Sequence, residues 1–171
     1  SCTSEACLNT AAQGDDVPAQ LALLQLALGQ LRSGQMVAAE RSSRDLLTRF
    51  AQGVMTPEAH LVHLQALMGA GQSRAGLEEA AQWLKQNAEA PAAPRVALLM
   101  GDVCLSEGDA AAAQTAYLRV LSLRPSTREA VDAWRGVAMA RENLGLHPEA
   151  REAWFKALEL MPEGPLRQEL E

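Results

Sequence analysis

Apolar positions along this chain are filled mostly by Ala and Leu, while aromatic residues make up only 4% of it and β-branched residues are scattered. Ala and Leu lose little freedom in a helix, whereas β-branched and aromatic residues favour strands, so the pattern predicts an all-α fold. The helical stretches are punctuated at a fixed interval. Gly34, Gly71, Gly108 and Gly145 follow one another in steps of 37 residues. Five residues after each glycine stands a small residue: Ala39, Gly76, Ala113 and Ala150. Eight residues further on, Leu47, Leu84, Leu121 and Leu158 recur without exception. Seven residues before each glycine stand Ala27, Leu64, Gly101 and Ala138, with Leu64 the one large side chain. Pro57 and Pro94 keep the same 37-residue step, as do Pro125 and Pro162.

A glycine between two apolar-periodic stretches can take the left-handed conformation that ends the first helix, which Ala would adopt only with strain. The unit is therefore a helical hairpin. Small residues on either side of the turn let the paired helices approach closely. The repeated Leu, with Tyr117 and Trp154 one turn away, is expected to fill the space between successive hairpins. Helix starts are marked by Thr56 before Pro57 and by Ser126 with Glu129 three residues later, a capping box. One hairpin cannot bury both of its faces, so the pairs must stack.

The copy from Val131 to Gly164 resembles a tetratricopeptide repeat. Trp134, Val137, Ala138, Gly145, Ala150, Trp154, Ala157 and Pro162 stand at that family's signature positions. The copy from Pro94 to Thr127 is similar through Gly101, Gly108, Ala113, Tyr117 and Pro125, but has Ala97 and Cys104 where larger residues are usual. Copies Pro57 to Ala90 and Gln20 to Gly53 depart further, with His60, His63 and Ser43 at core-type positions. The resemblance implies a right-handed superhelix of about four stacked antiparallel helix pairs, with hairpins at about 20–53, 57–90, 94–127 and 131–164. Residues 1–16 are expected to form a polar N-terminal segment, and 165–171 the start of a capping helix or a vector-derived end. The family's usual period is about 34 residues, so each copy carries extra length. That length is expected at Ser126 to Ala130, where it lengthens a first helix, and around Asn87 to Ala93 as a loop.

Composition narrows the function. A formal charge of −6 with no run of Lys and Arg disfavours nucleic acid and anionic membrane surfaces as partners. The longest apolar stretch, Leu21 to Leu31, is interrupted by Gln25, Gly29 and Gln30 and is too short to cross a bilayer. His60 and His63 with Glu58 form the one imidazole pair, but nothing nearby completes a metal site, and both histidines fall at packing positions. His147, before Pro148, reads as a turn or capping residue. No phosphate loop, nucleophile elbow or paired-carboxylate motif is present, so the chain is expected to be non-enzymatic and to need no cofactor.

Binding remains. The resemblance implies a concave groove lined by first helices. Its residues here would be Leu24 and Leu28, then Leu61, Val62 and Met68, then Leu98, Leu99 and Leu105, then Met139, with Arg95, Asp102, Asp132, Arg135 and Glu142 at the margins. Relatives that clamp the acidic C-terminal tails of chaperones place basic and amide residues at these positions. An apolar protein or peptide segment is therefore the expected partner here. Cys104 falls on the inward pattern of a first helix, as a small buried hydrophobe does. Cys2, after a small residue and before a polar stretch, is similar to the mature start of a bacterial lipoprotein, and Cys2 and Cys7 equally suit a small disulfide loop. Either reading points to the cell envelope, as a factor in assembly of a secretion or pilus complex. The alternative is a cytosolic chaperone for an export substrate.

Overall fold

A computed structural model describes residues 4–12, 17–51 and 53–161, and every regular element among them is an α-helix. In chain order these are α1 (Glu5–Ala11), α2 (Val17–Arg32), α3 (Met36–Arg49), α4 (Thr56–Gly69), α5 (Ser73–Gln86), α6 (Ala93–Ser106), α7 (Ala110–Ser122), α8 (Thr127–Asn143) and α9 (His147–Leu160). Hairpins α2/α3, α4/α5, α6/α7 and α8/α9 match the four expected copies. The chain divides into two compact units, Ser1–Gln82 and Trp83–Glu171, with the division inside α5.

Each hairpin turns in the same way. Gly34, Gly71, Gly108 and Gly145 have φ of 77°, 77°, 83° and 75°. At each turn the glycine N–H bonds back three residues, and the next N–H bonds back five, as in Gly145 to Glu142 O at 2.9 Å and Leu146 to Arg141 O at 2.9 Å. This is the Schellman arrangement, which satisfies carbonyls that the helix end would otherwise orphan. The expected capping box also forms: Glu129 N–H donates to Ser126 Oγ, and Ser126 N–H donates to Glu129 Oε2 at 2.7 Å. Asp109 caps α7 by accepting from Ala112 N–H at 2.9 Å. His147 is the first residue of α9 and exposed, while Leu146 holds the cap position, so His147 caps nothing. The extra length lies where the sequence placed it: α8 has 17 residues against 14 in α6, and an irregular link joins α5 to α6.

In the first unit, the stretch expected to be merely polar contains a packed helix. Leu8 of α1 and Ala12 just beyond it join Leu23, Leu24, Leu26 and Ala27 of α2, Leu46 of α3, and Ala59 and Val62 of α4 in one buried cluster. Full burial of a leucine contributes about 2 kcal/mol. Leu8 therefore helps hold α1 on α2.

In the second unit, the core centres on Tyr117, which is fully buried on α7. Its ring lies between Gly101 of α6 and Gly136 of α8, and a Cβ built on either glycine would fall 2.5 Å from Tyr117 Cε1. The missing side chains are what admit the ring. The repeated leucine does not serve uniformly as core. Leu84 is buried, but Leu47, Leu121 and Leu158 are only half-buried, and the preceding Leu46, Val120 and Ala157 are the enclosed residues. In α7 the buried stripe runs through Ala113, Ala116, Tyr117 and Val120, which leaves Leu121 on its edge.

Candidate functional site

Two parallel stripes of accessible side chains lie on neighbouring first helices of the second unit. On α6 the stripe is Arg95, Leu98, Leu99, Asp102 and Leu105; on α8 it is Asp132, Arg135, Met139 and Glu142. Spacings of three and four residues align each set on one helix face. Arg95, Leu98, Leu99 and Leu105 are half-buried, while Asp102, Arg135 and Met139 are exposed. Met139 is 36% exposed beside fully buried Val137 and Ala138. Apolar surface is thus offered to solvent within a frame of charges.

Those charges are held in place from behind. Tyr117 Oη donates to Asp102 Oδ1 at 2.7 Å, and Trp154 Nε1 donates to Glu142 Oε1 at 2.9 Å. Both aromatics stand on second helices. A neighbour therefore fixes the direction of each carboxylate, at Asp102 from a buried hydroxyl. The repeat pattern had assigned Tyr117 and Trp154 to packing only, and nothing in sequence spacing pairs 117 with 102. Burial first, then the hydrogen bond and charge of Asp102, push the Tyr117 phenol well above its ordinary pKa. Asp132 and Arg135 pair at 3.7 Å, an exposed contact that contributes little.

The first unit does not present a matching apolar stripe. Leu24 (6% exposed) and Val62 are in the buried cluster, and Leu28 packs against it. Met68 is buried because its side chain fills the space left by Gly76 on α5, where a Cβ would stand 3.0 Å from Met68 Cγ. These assignments to the groove are corrected. The packing of α1 on α2 adds core that the periodicity did not foresee, and Gly76 replaces the alanine of the other three copies. Leu61 alone of the first-unit set, Leu28 apart, keeps partial exposure.

Other reactive side chains are accounted for by packing. Cys104 is free and buried, and burial, with Asp109 and Glu107, raises its thiol pKa. Cys7 is disulfide-bonded and exposed, while Cys2 lies outside the described residues. Among the described residues no group of three or more His, Cys, Asp or Glu is arranged to hold a metal ion. None of their helices is long and apolar enough to cross a membrane.

A family model described as tetratricopeptide repeat matches residues 61–126 and, overlapping them, 98–165. These matches span well over half of the chain, which belongs to the tetratricopeptide-repeat family. Proteins of this family are in general non-enzymatic scaffolds that bind proteins or peptides. No curated protein matches the chain by sequence. Among solved structures, a crystal structure of MamA aligns with a TM-score of 0.71 at 20% identity, covering 91% of this chain and 85% of that one. A second, of MamA protein, has a TM-score of 0.71 at 19% identity and covers 94% and 87%. BtubC (BKLC) from P. vanneervenii has a TM-score of 0.67 at 14% identity and covers 93% and 73%. At these identities the likeness establishes the fold.

Proposed function

We propose that this protein is a non-enzymatic scaffold that holds an apolar segment of a partner polypeptide against the paired stripes of α6 and α8. Leu98, Leu99, Leu105 and Met139 supply the contact area, and Arg95, Asp102 and Arg135 set register at its margin. The observation that carries this reading is the exposure of Met139 between buried neighbours on α8, together with the hydrogen bond from Tyr117 that holds the Asp102 carboxylate on the accessible stripe of α6. Maintaining a rigid charge beside open apolar surface serves recognition, since charges at the rim of an interface fix orientation more than they add affinity.

The partner is expected in a bacterial envelope, where the scaffold serves assembly of a secretion or pilus complex. The disulfide at Cys7 supports an oxidising compartment. Mass spectrometry of the N-terminal peptide from the native host tests the location: a lipid on Cys2 or its disulfide with Cys7 supports the envelope, and a free Cys2 thiol in a cytosolic fraction contradicts it. For the surface itself, a photo-crosslinking residue at Met139 should give polypeptide adducts in the native host, and the same residue at exposed Glu107 should give none. Equal labelling from both positions would overturn the assignment.

A further inference from the structure

One aromatic ring of the second unit stands open to water. Phe155 of α9 is 59% exposed, while every other aromatic residue of the chain is buried or half-buried. The same place in the repeat is held by Leu118 on α7, also exposed, but by Ala81 on α5 and Arg44 on α3. A large apolar side chain there is therefore not something the hairpin requires. Nor does it belong to the stripe already described, which runs along the first helices α6 and α8.

The charges beside the ring are placed symmetrically. Arg151 stands four residues before Phe155 and Glu159 four residues after it, so three exposed side chains follow one line along α9. Neither Arg151 nor Glu159 has an ion pair among the described residues. Their neighbours are engaged within their own hairpin: Lys156 pairs with Glu152 at 2.8 Å and lies over the Trp134 ring of α8, 4.6 Å from its centroid. Glu159 also falls in the last turn of α9, where the helix dipole disfavours a negative charge. Ring and charges thus lack a counterpart inside their own molecule.

We propose that this face of α9 is a self-association surface, and that its occupant is α9 of a second copy of this chain, antiparallel across a two-fold axis at Phe155. A two-fold interface must be complementary to itself. A helix with Arg and Glu at equal distances on either side of an aromatic ring meets that demand. Arg151 of each copy then faces Glu159 of the other, so the pair forms twice. The two phenyl rings meet at the centre, where offset packing takes both out of water. Glu159, at the C-terminal end of one helix, faces the N-terminal half of the other, and the antiparallel dipoles agree. A parallel pairing would set Arg151 against Arg151 and Glu159 against Glu159, which the charges oppose. The proposal does not rest on the reading of the α6 and α8 stripe.

Sedimentation equilibrium of the whole protein, from micromolar to millimolar concentration, should show the mass rising towards that of a dimer. Arg151→Glu and Glu159→Arg should each weaken the dimer by about tenfold, because either change sets like charges together at two places. The double variant Arg151→Glu/Glu159→Arg should recover the association of the parent, since both pairs form again in reverse. Both side chains are exposed, so circular dichroism should find all variants folded alike. A protein that stays monomeric throughout, its Phe155 left to another polypeptide or to residues 162–171 of its own chain, overturns the proposal. So does a dimer that the single changes leave intact, or one that the double change fails to restore.

Discussion

Tyr117 Oη, on the buried face of α7, donates a 2.7 Å hydrogen bond to Asp102 Oδ1 on the accessible stripe of α6. Core and surface are joined through this one hydroxyl. The folded protein keeps the phenolic proton that the unfolded chain releases at about pH 10. Stability from this source is complete below that pH and is lost progressively as pH rises above it towards the raised value of the folded state. Tyr117 is the one tyrosine in the sequence, so near-ultraviolet absorbance follows it directly. Tyrosinate should appear only as the second unit unfolds. Tyr117→Phe should cost about 1 kcal/mol at neutral pH, since its acceptor can turn to water, and should remove this part of the alkaline dependence.

Gly136→Ala sets two effects against each other. In an open helix the change would stabilise by about 1 kcal/mol. Here the new Cβ would stand 2.5 Å from the Tyr117 ring, which is enclosed and cannot swing away. Overpacking of this kind costs about 1–3 kcal/mol, so urea denaturation should show a net loss. Tyr117→Phe should not rescue it, because the ring carbon that is struck remains. Gain of stability on Gly136→Ala would mean that the ring lies elsewhere.

Two glycines should resist substitution for different reasons. Gly145→Ala meets open space, but its φ of 75° costs a side chain about 1–2 kcal/mol. Gly53 is not at positive φ; a Cβ there would fall 2.3 Å from Gln20 Oε1 and 3.0 Å from Phe50 O. Gln20→Ala should therefore recover part of the stability lost in Gly53→Ala and none of that lost in Gly145→Ala. Melting of the two double variants checks this.

The hairpins were legible because their cause is local: a left-handed glycine and a small residue five positions later dictate a turn and a close crossing, whatever surrounds them. Of the positions assigned to a groove, those in the second unit are accessible, while Leu24, Val62 and Met68 in the first are enclosed. Position alone gave Leu24, Val62 and Met68 the same standing as Leu98 and Met139. Whether such a side chain is open depends on what lies over it: α1 packs on α2 in one case, and the absent side chain of Gly76 admits Met68 in the other. Neither is periodic, so a repeat pattern carries no trace of it. The contacts of buried His63 with Glu79 on α5 and Glu40 on α3 left no trace either, because these partners lie 16 and 23 residues away in sequence.

The central claim is that the α6 stripe is binding surface rather than core, and Leu98→Asp beside Val120→Asp tests it most directly. Val120 is fully buried, and an unpaired carboxylate there costs several kcal/mol. The two variants are melted by circular dichroism, and each is assayed for photo-adducts from Met139 in the native host. Val120→Asp should melt far below the parent. Leu98→Asp should melt close to the parent and lose the adducts, because a carboxylate in an apolar contact either stays wet or is buried unpaired. If Leu98→Asp melts as early as Val120→Asp, or keeps its adducts, the stripe is not the binding surface.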